Sequence, residues 1–239
     1  MIESEDRPSD SRYIQRVWRG RASGTETMTS IATSNWELVF WQEAGVMHAA
    51  ARGPETTAST ADLTGDSTSF GITLAHGASM PHLPVSGIVD GGVESVYATE
   101  RSFVLAGEEW ELPSFDNAEQ FVEKLVRAGV LVRDPLVDEV VWGGAARVGS
   151  RSVQRRVADA TGLTQGAIRQ IDRAREAAIL IGAGMPALDV VHRLGYYDQP
   201  HLARALQRFI GRTATQLQNP QRAPDPLSLL YKSEQPGPS

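Results

Sequence analysis

The sequence predicts an α+β protein of two domains, in which an N-terminal antiparallel β-barrel or sandwich precedes an all-α domain with tandem helix-turn-helix units. Three observations support this prediction. Short alternating runs separated by glycine and proline extend from Arg12 to Pro113, as in many-stranded β-structure. After Asp116 the apolar residues recur at helical spacing. The formal charge is also divided, with a net −12 over residues 1–139, +7 over residues 140–222 and −1 over residues 223–239.

The composition excludes several classes of protein. The 239 residues include no cysteine, so disulfides and thiolate metal sites are excluded. No apolar run approaches the length of a membrane-spanning helix, and the charged N-terminus lacks the apolar segment of a signal peptide. We therefore expect a cytoplasmic protein without a membrane partner. The histidines are scattered and no phosphate loop or nucleophile motif is present, so neither a metal, a cofactor nor a catalytic site is expected.

The predicted boundaries follow the changes in composition. They are a disordered N-terminus at residues 1–10, a β-rich sensor or dimerisation domain at 11–113, a helical linker at 114–133, a helical domain at 134–221 and a disordered tail at 222–239. In the linker, Asp116 is a suitable N-cap and Glu119 completes a capping box. An apolar stripe follows at helical spacing, formed by Phe121, Val122, Leu125 and Val126.

The aromatic residues of the β-domain concentrate on one predicted hairpin. Strand alternation there allows two arrangements, with either Trp36, Leu38 and Phe40 or Glu37, Val39 and Trp41 facing inward. Trp36, Phe40 and Trp41 are the candidate lining of a small-molecule pocket, and the alternative is that they only fill the core.

The stretch from Leu194 to Phe209 predicts the second half of a helix-turn-helix. Gly195 ends one helix, Asp198 is placed to cap the next, and Pro200 lies in its first turn. Its inward face is formed by Leu202, Leu206 and Phe209, and its other face by Gln199, His201, Arg204 and Arg208. Amide, imidazole and guanidinium groups of this kind suit base edges and phosphates.

An internal repeat places a similar unit earlier in the chain. Its first helix is predicted at Val137–Arg147, its turn at Val148-Gly149 and its second helix at Ser150–Ala160. Corresponding residues are 48 positions apart before the turn and 49 after it. A long helix over Ala167–Leu180 separates the two units. Gly143-Gly144 weakens or breaks the first helix, because each glycine costs about 1 kcal/mol in a helix interior.

The chain from about Val137 onward resembles the AraC-type bacterial transcription regulators. The resemblance rests on Gly195-Tyr196-Tyr197-Asp198-Gln199, His201-Leu202, Arg204, Phe209 and Gly211. It implies a DNA-binding domain joined to a cupin-like domain that binds a small effector. In similar regulators a helix at the position of the linker forms the dimer contact, whereas the plainer alternative packs its stripe on its own β-domain. This chain departs from the family in lacking proline after each recognition helix.

Carried over by position, the resemblance implies two sets of DNA contacts. The base-contacting candidates are Arg151, Gln154, Arg155, Gln199, His201 and Arg204. The phosphate-contacting candidates are Arg156, Arg208 and Arg212. The expected partners are double-stranded DNA, RNA polymerase, a small-molecule effector and a second copy of the chain.

The sequence therefore predicts a transcription regulator without catalytic activity, controlled by an effector or by dimerisation. Two alternatives stay open. In the first alternative the β-domain serves only for protein contacts, which a solidly packed barrel would favour. In the second the β-domain is an enzyme fused to a DNA-binding domain, which a buried carboxylate or histidine with a shifted pKa in a cleft would favour.

Overall fold

The computed structural model describes residues 2–24, 26–63, 66–141, 143 and 150–228. Antiparallel strands build its N-terminal part and helices build its C-terminal part, so the predicted two-domain α+β organisation is confirmed. Within these ranges, no helix has the length and apolar character needed to cross a membrane.

Six antiparallel strands form the main sheet. In spatial order they are β1 (Ile2–Pro8), β2 (Ile14–Ala22), β7 (Ser67–Leu74), β4 (Glu37–Glu43), β5 (Val46–Arg52) and β9 (Gly92–Glu94). Three further pairs are β3 (Glu26–Ser30) with β6 (Ser59–Leu63), β8 (Ala78–Ser79) with β12 (Val132–Arg133), and β10 (Ser102–Leu105) with β11 (Glu108–Glu111). The turn between β4 and β5 has positive φ at Ala44 and Gly45, as a two-residue hairpin turn requires.

The main sheet buries the face that carries Leu38 and Phe40, of which 1% and 3% is exposed. Trp36, just before β4, belongs to the same core. Trp41 points to the opposite face, where its ring stacks on His48 at a centroid distance of 4.9 Å. Of the two predicted arrangements, the structure therefore has the first.

The prediction that residues 1–10 are disordered is wrong for Ile2–Pro8. These residues form β1, which pairs with β2 along its whole length. Arg7 then attaches this edge strand to α1 (Ala118–Arg127), because its guanidinium donates to both carboxylate oxygens of Glu119, at 2.7 and 2.9 Å. Three of the charged residues that suggested disorder, Glu5, Asp6 and Arg7, thus form ion pairs to neighbouring elements.

The predicted capping box of α1 is also wrong. Asn117 occupies the N-cap without a side-chain hydrogen bond to the helix, and Glu119 binds Arg7 and Ser9 instead. The apolar stripe of α1 is buried against the main sheet, where the Phe40 and Phe121 rings meet edge to face at 6.3 Å. The stripe therefore packs on its own domain, as the plainer of the two alternatives proposed, and is not free to contact a second copy.

Six helices form the C-terminal domain within the described residues. They are α2 (Pro135–Val141), α3 (Ser150–Thr161), α4 (Gln165–Gly182), α5 (Ala187–Leu194), α6 (Gln199–Phe209) and α7 (Ala214–Gln218). α2 ends at Val141, because Gly143 has a φ of 90° and does not continue the helix, and residues 144–147 of the predicted helix lie outside the described residues. The predicted turn at Val148-Gly149 lies outside the described residues.

One segment of the N-terminal domain, residues 29–34, is built into the helical domain, and we call it the bridging segment. Its Ile31 and Ala32 side chains are buried in the core of the helices. Residues 222–228 lie beside it, since the Thr29 N–H donates to the Pro226 carbonyl and the Ser228 N–H donates to the Thr29 carbonyl. The disordered tail predicted at residues 222–239 is therefore wrong up to Ser228, and residues 229–239 lie outside the described part.

Candidate nucleic-acid interface

The second helix-turn-helix unit has the local geometry that its sequence predicts. Gly195 ends α5 in the left-handed conformation, with a φ of 67°. The Asp198 carboxylate caps α6 by accepting the His201 N–H at 2.7 Å. The inward face of α6 is buried, at Leu202, Leu206 and Phe209.

The opposite face of α6 is exposed and polar. It includes the predicted Gln199, Arg204 and Arg208. Gln199 and Arg204 have no side-chain hydrogen bond or ion pair within the described residues, so both are available to a ligand. Gln207 was missed by the sequence analysis, although it is exposed and lies three residues after Arg204 on the same helix face.

His201 is held in place rather than freely exposed. Its Nδ1 accepts the Tyr197 backbone N–H at 3.4 Å, and its ring meets Tyr196 edge to face at 5.3 Å. A neutral imidazole with an acceptor at Nδ1 carries its proton on Nε2. His201 therefore offers DNA a hydrogen-bond donor, which suits guanine O6 or N7, thymine O4 or a phosphate.

The first unit presents α3 in the same way. Val153 and Val157 are buried, whereas the predicted Arg151, Gln154 and Arg155 are exposed. These three side chains have no hydrogen bond or ion pair to any other described residue. The helix thus offers two guanidiniums and an amide to a base edge.

The first unit distributes its charges differently from the second. The Arg156 guanidinium, predicted to contact phosphate, lies 3.0 Å from an Asp134 carboxylate oxygen and remains half-exposed. Asp159 is exposed on α3 and corresponds, at the repeat offset of 49, to Arg208 on α6. The two recognition helices therefore differ in charge at equivalent positions.

The prediction that Arg212 contacts a DNA phosphate is wrong for this arrangement of the chain. Its side chain is 4% exposed and lies 3.1 Å from the carboxylate of Asp225. It also donates to the Thr29 hydroxyl at 2.8 Å and to the Asp225 carbonyl at 2.7 Å. Arg212 instead fastens the loop after α6 to the bridging segment.

The bridging segment also completes the C-terminal end of α6. The last carbonyls of a helix have no partner inside it. Here Ala32 and Ala58 of the N-terminal domain donate their backbone N–H groups to the carbonyls of Phe209 and Arg208, each at 2.8 Å. The N-terminal domain therefore contacts the recognition helix directly. Nothing in the sequence pattern of residues 29–34 signals this role.

A buried polar cluster joins the same segment to α4. Arg175 donates to the Ala32 carbonyl at 2.7 Å, and the Ser34 hydroxyl donates to Asp172 at 3.0 Å. His76 Nε2 lies 2.9 Å from the Ser34 oxygen. Burial raises the pKa of Asp172 to about 6 and lowers the pKa of His76 to about 4. These shifted groups hold two domains together and do not line the cavity described next.

A cavity of about 570 Å³ opens on the inner face of the main sheet. Phe40 and Trp41, two of the candidate pocket residues, border it, although the Trp41 ring itself lies on the far side of the sheet. Trp36 does not line it, because its indole is buried and donates to the Ala78 carbonyl at 2.8 Å.

The fold and the exposed faces of α3 and α6 define a helix-turn-helix DNA-binding protein. Residues 142–219 match the family model of a helix-turn-helix domain, and the predicted AraC-type domain is confirmed there. A solved structure of ToxT from Vibrio cholerae aligns with this chain at 8% sequence identity and a TM-score of 0.39. The alignment covers 90% of this chain and 97% of the ToxT chain. No curated protein matches the sequence.

Proposed function

We propose that this protein is a transcription regulator that binds double-stranded DNA in a sequence-specific manner through α3 and α6. The observation that carries the proposal is the pair of exposed polar helix faces within the matched helix-turn-helix domain. Arg155 and Arg204 occupy equivalent positions on the two helices. Each guanidinium has the geometry to bind guanine O6 and N7 with two hydrogen bonds.

The linker helix α4 is suited to hold the two recognition helices apart. It has 18 residues and therefore a length of about 27 Å. Recognition helices that enter successive major grooves from one side are about 34–36 Å apart. We propose that both units contact one face of the duplex, within a site of two short blocks.

The N-terminal domain is proposed to control DNA binding. The bridging segment contacts the end of α6, and β4 follows it directly in the chain and borders the cavity. A small effector in the cavity would shift the population between two arrangements of the domains if it favours one of them.

Three expectations of the sequence belong to the same proposal, namely a homodimer, a contact with RNA polymerase and a cytoplasmic location. The dimer contact would use a surface other than the buried stripe of α1. Catalysis is not proposed, because the buried Asp172 and His76 bind Ser34 between the domains rather than facing the cavity.

Selection of bound duplexes from a random DNA pool tests the proposal. The full-length protein is used at two salt concentrations, because phosphate contacts alone weaken steeply with salt. Enrichment of a defined motif that persists at the higher salt supports sequence-specific recognition. Binding without enrichment, lost at the higher salt, would overturn it.

A further inference from the structure

The lining of the cavity is ordered in rows by the register of the main sheet. Residues that face one another across β2, β7, β4 and β5 form each row. Two rows contribute to the lining, the middle row with Arg19, Phe70 and Phe40, and the mouth row with Arg21, Thr68, Gln42 and Met47. The next row, Val17, Ile72, Leu38 and Ala51, is buried and does not line the cavity. The lining therefore places the aromatic rings of Phe40 and Phe70 next to the polar side chains of the mouth row.

The middle row supplies an apolar platform. The rings of Phe40 and Phe70 stack at 5.5 Å with an angle of 17° between their planes. Phe115 and Leu112 line the cavity beside them. Phe70 remains partly exposed, so an apolar group of a ligand placed there would remove aromatic surface from water.

The charged side chains that line the cavity come as pairs on β1 and β2. Glu5 accepts two hydrogen bonds from Arg19, at 2.8 and 2.5 Å, so these two charges satisfy each other. Glu3 and Arg21 are directly opposite in the register and both line the cavity. Neither of these two side chains has a hydrogen bond or ion pair within the described residues.

We propose that the cavity binds a small zwitterion with an apolar side chain, which is the chemistry of a free apolar α-amino acid. Its ammonium group would pair with Glu3, its carboxylate with Arg21, and its side chain would lie along Phe40 and Phe70. A ligand with only one charge would leave the other protein charge unmatched. This inference deepens the proposed effector control and rests on it for its regulatory meaning.

The alternative is that Glu3 and Arg21 close on each other and no ligand is bound. An exposed ion pair of this kind contributes little, so a ligand that satisfies both charges and covers the aromatic platform competes with it. The location also suits an effector, because β4 joins the cavity to the bridging segment and thus to α6.

Calorimetric titration of the full-length protein without DNA tests the proposal. The probes are L-phenylalanine and L-leucine, with N-acetyl-L-phenylalanine, which lacks the ammonium charge, and L-phenylalaninamide, which lacks the carboxylate. We expect at least one amino acid to bind, and each blocked analogue to bind at least tenfold more weakly. Failure of both amino acids to bind would overturn the proposal, as would equal binding of either blocked analogue.

Two variants then assign the charges. Glu3→Gln should weaken the binding of L-phenylalanine and L-phenylalaninamide but leave the binding of N-acetyl-L-phenylalanine unchanged. Arg21→Gln should weaken the binding of L-phenylalanine and N-acetyl-L-phenylalanine but leave the binding of L-phenylalaninamide unchanged. Glu108→Gln and Arg101→Gln are matched controls, since both residues are exposed and do not line the cavity. Binding that is equally affected by the controls, or unaffected by both mouth variants, contradicts the assignment.

The outcome is separable from the proposed function. Ligand binding is measured without DNA, and DNA selection is measured without ligand. A protein that selects DNA but binds none of the amino acids keeps the proposed function and loses this inference. A protein that binds the amino acid through Glu3 and Arg21 but selects no DNA, with or without it, keeps the site and loses the proposed function.

Discussion

Arg204 lies on the exposed face of α6, opposite the buried stripe of Leu202 and Leu206. A bidentate contact from such a guanidinium to guanine discriminates against other bases by about 1–3 kcal/mol. We expect Arg204→Ala to weaken specific binding by about that amount and to relax the preference at one base position. Fluorescence anisotropy on the selected duplex and its single-base variants measures both effects. Arg101→Ala is the control, and an unchanged preference at every position would remove Arg204 from the base contacts.

Arg208 and Arg212 carry the same charge near the end of α6, yet their surroundings differ. Arg208 is exposed, whereas Arg212 is buried with Asp225. Arg208→Ala should weaken binding to all duplexes and lower the salt dependence by about one counterion, with little loss of stability.

Arg212→Ala should instead lower the free energy of unfolding by roughly 3 kcal/mol, because it leaves a buried carboxylate without its partner. Urea unfolding of both variants compares the two effects. An Arg212→Ala protein as stable as the wild type, with a reduced salt dependence of DNA binding, would restore Arg212 to the phosphate contacts.

The residue-level predictions succeeded where the cause is local. The cap at Asp198 and the end of α5 at Gly195 depend on neighbours a few residues away. The burial of Arg212 depends on Thr29 and Asp225, the first of them 183 residues distant. No pattern within the helix-turn-helix sequence carries that information.

The bridging segment is the element on which the helical domain most depends outside its own sequence. Ile31 is 3% exposed and belongs to the helical core. Truncating a buried isoleucine to alanine costs about 2–5 kcal/mol, so Ile31→Ala should lower the free energy of unfolding by that amount. Urea unfolding is the measurement, with Val46→Ala as the control because Val46 is 55% exposed. A change of less than about 0.5 kcal/mol, the range of ordinary surface substitutions, would contradict the role of this segment.

The contact between the bridging segment and α4 contains two groups whose protonation has opposite effects on the stability of the fold. His76 has a pKa of about 4 in the fold and 6.5 outside it, so the unfolded state binds its proton first and stability falls as the pH decreases between these values. Asp172 has a pKa of about 6 in the fold and 3.8 outside it, so the folded state binds its proton first and stability rises over nearly the same range.

We expect Asp172→Asn to remove the second effect while keeping an acceptor for Ser34. The stability of the variant should then fall more steeply than that of the wild type as the pH decreases from about 6.5 to 4. Urea unfolding at several pH values measures the difference in stability between the two proteins. The contributions of the other titrating groups are common to both and cancel in this difference. Parallel pH profiles of the two proteins would show that Asp172 titrates normally.

At the level of elements, the sequence pattern was a good guide to strands and helices with strong periodicity, such as β4 and α6. It failed where partners are distant. Residues 2–8 form a strand because β2 offers an edge and Glu119 binds Arg7. Glu119 does not complete a capping box in α1, because its carboxylate binds Arg7. α2 ends early where Gly143 turns the chain, as the glycine pair indicated.

Across the whole molecule, the two domains are joined through a shared core rather than by a free linker. Composition and charge distinguish an acidic β-rich part from a basic helical part of the sequence. The sequence pattern could not place residues 29–34 inside the helical domain, because a short stretch of serine, isoleucine, alanine and threonine has no periodicity. An effector in the cavity would therefore act on DNA binding through packed backbone contacts.

Both helix-turn-helix units are proposed to contact bases on one duplex. Selection from a random DNA pool with the wild type, Arg155→Ala and Arg204→Ala tests this proposal most directly. We expect a wild-type motif of two blocks about one helical turn apart, which is about 10–10.5 base pairs. We also expect each variant to relax a different block. A wild-type motif of one block, unchanged in Arg155→Ala, would contradict the proposal and leave α6 as the sole base-contacting helix.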